Sequence, residues 1–489
     1  MTMNAAVHSD RQIHRWVDIL SYGYIGLPIV IFILGWVRWY ISIPATLLIG
    51  LCFFFSVRKA DTSLPSVAQG DRKKIIFAIL IILGWVFSSG IGGFVFQNSD
   101  HWCRNEIYRA LVEESWPVQH IVPTETGNSM RFLSYYIGFW MPAALFGKVF
   151  GLGAGYVFQY LWASLGVFLV FVKTAEYLKR WSLISLFVFI FFSGLDIIGN
   201  AIVGQDIFHM QWQLHIEWWS GYQFSSHTTQ LYWVFNQAIY GWLITLMLIN
   251  NKRKSNLVLI WACGLLSCTF PFAGMLPFLI YKAFAGYTRK TPVIRHLKQS
   301  FIELLSFENI IGGGLIGIIS AAYLLGNSSA GNSAVEPFHP SLGYYKWILI
   351  FFFLEAGIYH ILVFRSQKRN PLFYLSFLML LICPFIKVGS SEDFCMRASI
   401  PALLILCLLV IDSFSDYRKT GKAWFCALLA AFLIGCFTPV HEMARAFGQT
   451  LILYKTGQPT ISYTGSDLLL PGNFSSDTEG NLFYNYLAK

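Results

Sequence analysis

Apolar runs of about 16 to 24 residues recur along the whole chain and are separated by short charged loops. A helix needs about 20 apolar residues to cross a bilayer core, so runs of this length predict transmembrane helices. The composition agrees, because 56% hydrophobic and 12% charged residues leave too little polar surface to coat a soluble globule of 489 residues. The sequence therefore predicts an all-α, polytopic transmembrane helix bundle of about 13 spans.

Trp and Tyr often stand at the ends of the apolar runs, as in the aromatic belts of membrane proteins. One segment, 134–151, is long enough to cross, but counting it as a span would move the basic loop at 252–254 to the other side. We interpret it as a re-entrant or interface-lying segment. The predicted spans are 16–37, 39–57, 75–96, 155–177, 182–200, 231–250, a proline-broken pair within 257–284, 308–325, 346–364, 371–387, 400–415 and 423–440.

Clusters of Lys and Arg between the spans predict the orientation, because such clusters stay in the cytoplasm. The N-terminus is then cytoplasmic and the C-terminus extracytoplasmic. The net charge of +10 follows from this topology and does not indicate nucleic-acid binding. The first run lacks an A-x-A cleavage site, so we interpret it as an uncleaved span. The clusters lie at 58–59 with 72–74, 179–180, 252–254, 289–298, 365–369 and 418–422.

The long polar segments all fall on the extracytoplasmic side of this topology. We expect residues 1–440 to form one transmembrane domain and 441–489 to form a short extracytoplasmic tail. The outer loops are 97–133, 204–230 and 387–399, with a further one at 327–346. A face so enriched in polar residues is where we expect the chemistry.

The first outer loop places Asp100 a few residues after a span ends. From His101 to Glu114 the pattern predicts a helix on the membrane surface, with Glu106 and Arg109 on a charged face. Solvated charges with internal ion pairs are the alternative interpretation. Asp100 precedes this predicted helix and has no obligatory partner in the sequence, so it is free to serve as a base.

The second outer loop mixes aromatic rings with polar side chains, including Trp218, Trp219, His215, Glu217 and Asp206. Flat aromatic faces beside hydrogen-bonding groups suit a sugar ring or a lipid headgroup. An interfacial aromatic belt would use the same residues. The histidines lack metal-site spacing, so no metal site is predicted.

The third outer loop carries Arg397 where a helix is predicted to begin, with Lys387 upstream. A cation beside free backbone N–H groups suits a phosphate. A salt bridge from Arg397 to Glu392 or Asp393 is the alternative. Asp196 is a further candidate, since a carboxylate within a span is costly and usually partnered.

Together, "NSDHW" with Asp100, the helix pattern "RNEIYRALVEESWPV" after it and the aromatic-polar second loop resemble the GT-C glycosyltransferases. These multispanning enzymes use polyprenyl-phosphate-linked sugars. The chain is similar in particular to bacterial inner-membrane enzymes that add a sugar to O-antigen or another surface polysaccharide. In that class the catalytic loop commonly follows the first span, whereas here it follows the third.

The resemblance implies roles for the candidate residues. Asp100 would be the general base, and the sugar would move with inversion to a glycan or glycolipid acceptor. Arg397, helped by Lys387 or Arg104, would stabilise the departing phosphate. Some relatives use a divalent metal there, but this sequence does not require one. His215 and Glu217 with Asp206 would bind sugar or acceptor, and Trp218 with Trp219 would form an apolar floor.

Two other functions remain open from the sequence. A polysaccharide polymerase or ligase of the same lipid-linked pathway would carry a large, Arg-rich outer loop late in the chain. A lipid or solute flippase would show inverted repeats and charges at mid-span. No repeat is seen, and the main charges within spans are Asp196, Glu355 and Asp412.

Overall fold

A computed structural model describes residues 2–67, 69–124, 127–206, 215–288, 291–327, 342–388, 393–465, 474–477 and 481–489. The described residues are mainly helical. The α-helices are α1 (Thr2–Trp36), α2 (Trp39–Arg58), α3 (Gln69–Ser88), α4 (Ser99–Glu113), α5 (Met141–Phe150), α6 (Leu152–Leu178), α7 (Leu183–Phe191), α8 (Asp196–Ile202), α9 (His227–Asn250), α10 (Leu257–Ala262), α11 (Thr269–Phe284), α12 (Val293–Leu304), α13 (Gly314–Leu325), α14 (Leu342–Phe352), α15 (Ile358–Gln367), α16 (Pro371–Ile382), α17 (Asp393–Ala398), α18 (Ile400–Ser415), α19 (Tyr417–Thr420), α20 (Lys422–Gly435) and α21 (Phe437–Thr456).

Eight helices in the described ranges are long and apolar enough to cross a bilayer, which confirms the all-α, multi-pass architecture. The predicted number of spans stays a prediction. Three further apolar helices are shorter: Thr269–Phe284, Pro371–Phe385 and Ile400–Ser415. The eight candidate spans are Gln12–Trp36, Trp39–Arg58, Leu152–Leu178, Leu183–Ile202, His227–Asn250, Glu308–Leu325, Tyr345–Gln367 and Lys422–Thr456.

α9 lies in the centre of the bundle, and nearly all of its side chains are buried. It packs against α6, α11, α18 and α21. A helix that is apolar and buried on every side needs neighbours on every side, so the other spans surround it. Its first residues therefore lie where several elements converge.

The loops rich in Lys and Arg meet at one end of the bundle, called here the basic end. Ion pairs and hydrogen bonds between side chains link basic loops that are far apart in the sequence. These join Lys59 to Glu308 (3.0 Å), Lys179 to Ser63 (2.7 Å), Lys252 to Asp61 (3.1 Å) and Lys254 to Ser300 (2.6 Å). The positive-inside pattern thus corresponds to one face of the folded chain.

The outer loops predicted from the sequence meet at the opposite end, called here the site end. The backbone N–H of Phe96 donates to Thr450 (3.0 Å), and that of Gly138 donates to the carbonyl of Leu266 (3.1 Å). Residues 481–489 return to the first helix, where the N–H of Lys489 donates to the carbonyl of Trp36 (3.0 Å). The segment predicted as a tail begins inside α21.

The first outer loop also contains a small antiparallel sheet in the order β1-β2-β3. Strands β1 (Gln119–Thr124) and β2 (Gly127–Leu133) pair as a hairpin, and β3 (Ser475–Asp477) joins from the C-terminal region. This sheet ties the end of the chain to the first outer loop.

The ambiguous segment 134–151 contains a 3₁₀ turn at Gly138–Trp140 followed by α5. The ten residues of α5 span about 15 Å, half the thickness of a bilayer core. Gly151 ends α5 at a positive φ of 90°, and α6 begins immediately. The buried face of α5 packs on α4, where the Tyr108 hydroxyl donates to the carbonyl of Ala143 (3.1 Å). α5 is too short to cross the bilayer by itself.

Candidate active site

Helix α4 begins at Ser99, close to the predicted start, because Asn98 caps it. The Asn98 side-chain oxygen accepts from the backbone N–H of Asp100 (3.1 Å). Asp100 then lies in the first turn, where the helix dipole favours a carboxylate. The Asn98 amide also donates to the carbonyl of Tyr232 (2.8 Å), which fixes the start of α4 against α9.

Asp100 forms an ion pair with Arg104, one helical turn later, at 2.9 Å between Oδ2 and Nη2. The expectation that Asp100 has no partner is therefore wrong, because the capped helix starts before Asp100 and brings the two side chains to i,i+4 spacing. Asp100 remains 39% exposed, whereas Arg104 is buried. One oxygen of Asp100 is paired and its side chain still reaches solvent.

The charged face of α4 is solvated only in part. Glu106 is buried and pairs with Arg109, and its carboxylate also accepts from the N–H of Gly465 (3.4 Å). The Arg109 side chain is 43% exposed, and Glu113 at the end of the helix is exposed as well. The internal ion pairs of the alternative interpretation are present, but segments from the C-terminal region cover them.

Arg104 anchors α4 to the central helix. Its guanidinium donates to the carbonyl of Trp233 and lies 5.4 Å from the ring centre of Phe235. Its Nε is buried with no hydrogen-bond partner in the described ranges. Arg104 is thus held by protein contacts to α9 and by its ion pair with Asp100.

Arg397 lies near the end of α17, facing the same region. Its Nη1 donates to the hydroxyl of Tyr136 (2.9 Å), and its Nη2 pairs with Asp393 (3.3 Å). The predicted alternative of a salt bridge to Asp393 is thus present, while Glu392 lies outside the described residues. The Nε of Arg397 is buried without a described partner.

The negative charge of Asp100 stabilises the charged form of Arg397. Burial alone would lower the pKa of Arg397, but Tyr136, Asp393, Tyr135 and Asp100 outweigh it and raise the pKa. Tyr135 and Tyr136 share a hydrogen bond between their hydroxyls. These tyrosines follow the hairpin and were not among the predicted site residues.

His215 is the centre of a second buried group. Its Nδ1 lies 2.8 Å from a carboxylate oxygen of Glu442, and its Nε2 lies 3.5 Å from Glu217. Burial alone would lower the pKa of His215, but Glu442 and Glu217 raise it to about 9. The imidazole is therefore cationic at neutral pH.

Glu217 is held by the turn that follows it in the second loop. The Gln223 amide donates to one carboxylate oxygen (2.7 Å), and the N–H of Ser226 donates to the other (2.9 Å). A carboxylate held by donors on both oxygens is positioned rather than mobile. Ser226 is also the cap of α9, so the site and the central helix share this turn.

Glu442 joins α21 to the group. Its second oxygen accepts from Arg445 (2.8 Å) and from the indole N–H of Trp233 (3.1 Å). The Arg445 guanidinium lies 5.0 Å from the ring centre of Trp233. Glu442 and Arg445 were missed because "HEMAR" follows the last predicted span and was assigned to the tail. The available signal was an abrupt return of charge after an apolar run, the same signal that identified Asp100.

The Asp100–Arg104 pair and the group around His215 meet at Trp233. Its carbonyl accepts from Arg104, and its ring lies 5.0 Å from that of His215. The thiol of Cys395 on α17 reaches the carbonyl of Gln223 (3.9 Å), which links the third loop to the second. All three outer loops thus contribute to one region. We call it the polar cluster, and its members are Asp100, Arg104, Tyr136, His215, Glu217, Arg397, Glu442 and Arg445.

Trp218 and Trp219 do not form a common floor. Trp218 is 60% exposed and packs edge-on to His215 (4.8 Å between ring centres), but Trp219 is only 6% exposed. Trp219 points inward and donates to Glu355 (3.0 Å). The reason is geometric, because consecutive residues of a 3₁₀ turn point in directions about 120° apart.

The remaining predicted residues lie at the borders of described segments. Asp206 is exposed and ends the described part of the second loop, and Lys387 is half-buried at the start of the third. The exposed Trp218 is therefore the aromatic surface that the described second loop offers beside the polar cluster. Within the described ranges, no group of His, Cys, Asp and Glu is arranged to hold a metal ion.

Comparisons with protein-family models, with curated proteins and with solved structures found no match for this chain.

Proposed function

We propose that this chain is an integral-membrane glycosyltransferase that moves a sugar from a polyprenyl-phosphate carrier to a glycan or glycolipid acceptor. The observation that carries the proposal is the polar cluster: a partly exposed carboxylate, Asp100, with the buried Arg104 and the half-buried Arg397 at one end of an apolar bundle. A lipid-linked phosphosugar needs this combination, because its tail requires apolar helices and its phosphate requires cations.

The proposed reaction uses Asp100 as the general base. Its carboxylate takes the proton of an acceptor hydroxyl, whose oxygen forms a bond to the anomeric carbon while the bond to the phosphate oxygen breaks. The polyprenyl phosphate leaves with that electron pair. Attack opposite to the leaving group inverts the anomeric configuration.

The other residues of the site support this step. Arg397, with Lys387 or Arg104, stabilises the charge that grows on the departing phosphate. The Nε groups of Arg104 and Arg397 are buried and have no partner within the described ranges. In this proposal the exposed Asp206 and Trp218 contact the sugar or acceptor, while the buried His215 and Glu217 hold the second loop in position. In this proposal Trp219 has a packing role.

The location follows from the same proposal. The site end faces the extracytoplasmic side of a bacterial inner membrane, and the basic end faces the cytoplasm because its loops carry Lys and Arg. The chain crosses the membrane about 13 times. A divalent metal at the phosphate is compatible with this chemistry but is not needed for any step above.

Substitution of Asp100 by Asn tests the proposal. We expect Asp100→Asn to lose at least about 100-fold in sugar transfer from a labelled polyprenyl-phosphate sugar, since the amide cannot accept the proton. Glu113→Gln is the matched control, because Glu113 is an exposed acid on the same helix, and it should retain activity. Full transfer by a folded Asp100→Asn protein would overturn the assignment of the base.

A transporter is the second candidate, and one observation favours it. Asp196 and Glu355 lie together within candidate spans, and Asp196 accepts from Ser193 (3.0 Å) and Thr438 (2.9 Å). Paired acids inside a membrane are typical of proton-coupled carriers. Movement of the labelled lipid across proteoliposomes without a new glycosidic bond would favour this function over transfer, and over polymerase or ligase activity as well.

A further inference from the structure

A groove of about 920 Å³ runs between α1 and α2 at the basic end, far along the bundle from the polar cluster. Both helices are candidate spans, so the groove lies among residues that would face lipid. Its polar mouth is formed by Arg15 and Arg58 at the ends of the two spans. Its apolar walls include Ile19, Leu27, Val30, Phe53, Phe54 and Val57.

Missing side chains create much of this space. A Cβ atom on Gly23 or on Gly50 would have no heavy atom within 4 Å. Gly26 is different, because a Cβ there would lie 2.7 Å from the ring of Phe53, which closes the groove on that side. The groove can therefore be filled selectively by substituting Gly23 or Gly50.

The mouth of the groove carries unbalanced positive charge. Two carboxylates also line it: Asp61 lies 3.1 Å from Lys252, and Asp18 lies 3.5 Å from Lys173, which also pairs with Glu176 at 3.0 Å, so with Arg15 and Arg58 the four cations still exceed these three acids by one. The guanidinium groups of Arg15 and Arg58 have no partner in the described part of the chain and are exposed. Two cations at the end of an apolar channel are thus available to an anion.

We propose that this groove binds an anionic phospholipid from the bilayer leaflet at the basic end. An acyl chain lies along Gly23 and Gly50, and the phosphate lies between Arg15 and Arg58. A free anion would leave the apolar walls uncovered, and a zwitterionic lipid would bring its own cation to the arginines. This site is separate from the polar cluster, since it lies at the opposite end of the bundle, so it does not depend on the proposed enzyme activity.

Native mass spectrometry of the full chain in detergent tests the site, with added phosphatidylglycerol compared with phosphatidylcholine. We expect phosphatidylglycerol to remain bound to the wild-type chain in preference to phosphatidylcholine. Gly23→Leu and Gly50→Leu should each lose this bound lipid, because the new side chain occupies the groove. Gly84→Leu is the matched control, since Gly84 is an exposed glycine of α3 that also has open space around it and does not line the groove.

Charge variants test the mouth of the groove in the same experiment. Arg15→Gln and Arg58→Gln should each weaken phosphatidylglycerol binding by about fivefold, the effect of one interfacial cation. Arg369→Gln, an exposed cation at the basic end that does not line the groove, should leave binding unchanged.

Two results would overturn the proposal: equal binding of both lipids, or full binding of phosphatidylglycerol by folded Gly23→Leu and Gly50→Leu proteins. A response to inorganic phosphate alone that survives both glycine substitutions would also contradict it. That result would assign the arginines to a simple anion site.

Discussion

Arg397 connects most of the groups that distinguish the site end. It bonds Tyr136 and Asp393, and the carboxylate of Asp100 contributes to its raised pKa. A half-buried guanidinium can be the phosphate ligand of the proposed donor, or it can be a structural cross-link between α17 and the segment before α5. Substitution distinguishes these roles.

We expect Arg397→Ala to weaken binding of a polyprenyl phosphate by tenfold or more, on the order of one charge-assisted hydrogen bond. Arg397→Lys should fall between this variant and the wild type, because one ammonium cannot reproduce the planar fork. Binding is measured in detergent micelles, with gel filtration to confirm folding and Arg369→Ala as the control. Unchanged affinity in folded Arg397→Ala would leave Arg397 with the structural role alone.

His215 should make the stability of the chain depend on pH. Its folded pKa of about 9 lies above the unfolded value of about 6.5. Its stabilising contribution is therefore complete below pH 6.5 and is lost as the pH rises through 9.

We expect the thermal unfolding temperature to fall between pH 6.5 and 9 by an amount equivalent to a few kcal/mol. His215→Gln should lose most of this dependence, while His14→Gln, which replaces a half-buried histidine at the basic end, should keep it. Parallel pH profiles for the wild type and His215→Gln would show that Glu442 and Glu217 do not hold a cationic imidazole.

The sequence predicted Asp100 from its place just after an apolar run, Arg397 from its place at a predicted helix start, and His215 and Glu217 from the aromatic and polar residues around them. It could not show that Asp100 pairs with Arg104, since that depends on the helix starting at Ser99 instead of after Asp100. It could not show what Glu442 contacts, because His215 and Trp233 are more than 200 residues away from it in the chain.

Among the elements, α4 carries the proposed base, and Asn98 caps its first turn. Asn98 supplies both the acceptor for the N–H of Asp100 and a donor to the carbonyl of Tyr232. These two bonds connect the start of α4 to the central helix α9.

We expect Asn98→Ala to destabilise this junction by about 1 to 3 kcal/mol and to speed amide hydrogen exchange in the first turns of α4. Asn98→Ser keeps a capping acceptor but loses the donor to Tyr232, so its effect should be smaller. Exchange in α6 serves as the internal reference. Equal exchange in all three proteins would mean that packing alone fixes α4.

The sequence predicted which segments are helical better than it predicted where these helices begin and end. The pattern at 101–114 predicted α4 to within a few residues. The small sheet was not predicted. Its third strand, Ser475–Asp477, is far away in the chain from the hairpin at Gln119–Leu133, and no local pattern reports such a pairing. The sequence did not predict that the last helix continues through α21. Polar residues of α21 such as Glu442 and Arg445 are buried, because distant parts of the chain pack against them.

At the scale of the whole molecule, the basic loops meet at one end and the predicted outer loops at the other. The sequence could predict this two-ended arrangement because loop charge and span length act over short stretches of chain. It could not predict which side chains would touch at the site end, since that depends on how the spans pack around α9.

Cysteine labelling in intact cells tests the proposed orientation, using a background in which Cys103 and Cys426 are replaced by Ser. A membrane-impermeant maleimide should label Glu113→Cys at the site end but not Lys419→Cys at the basic end. Labelling should reach both positions after permeabilisation. The reverse pattern in intact cells would place the polar cluster in the cytoplasm.

The proposed transfer of a lipid-linked sugar by the polar cluster is tested by the product of a purified reaction. The purified chain is mixed with a labelled polyprenyl-phosphate sugar and an acceptor glycan, and the new linkage is identified by NMR. We expect a new glycosidic bond whose anomeric configuration is the inverse of that in the donor. A product with retained configuration, or an intact donor with no new bond, would contradict it.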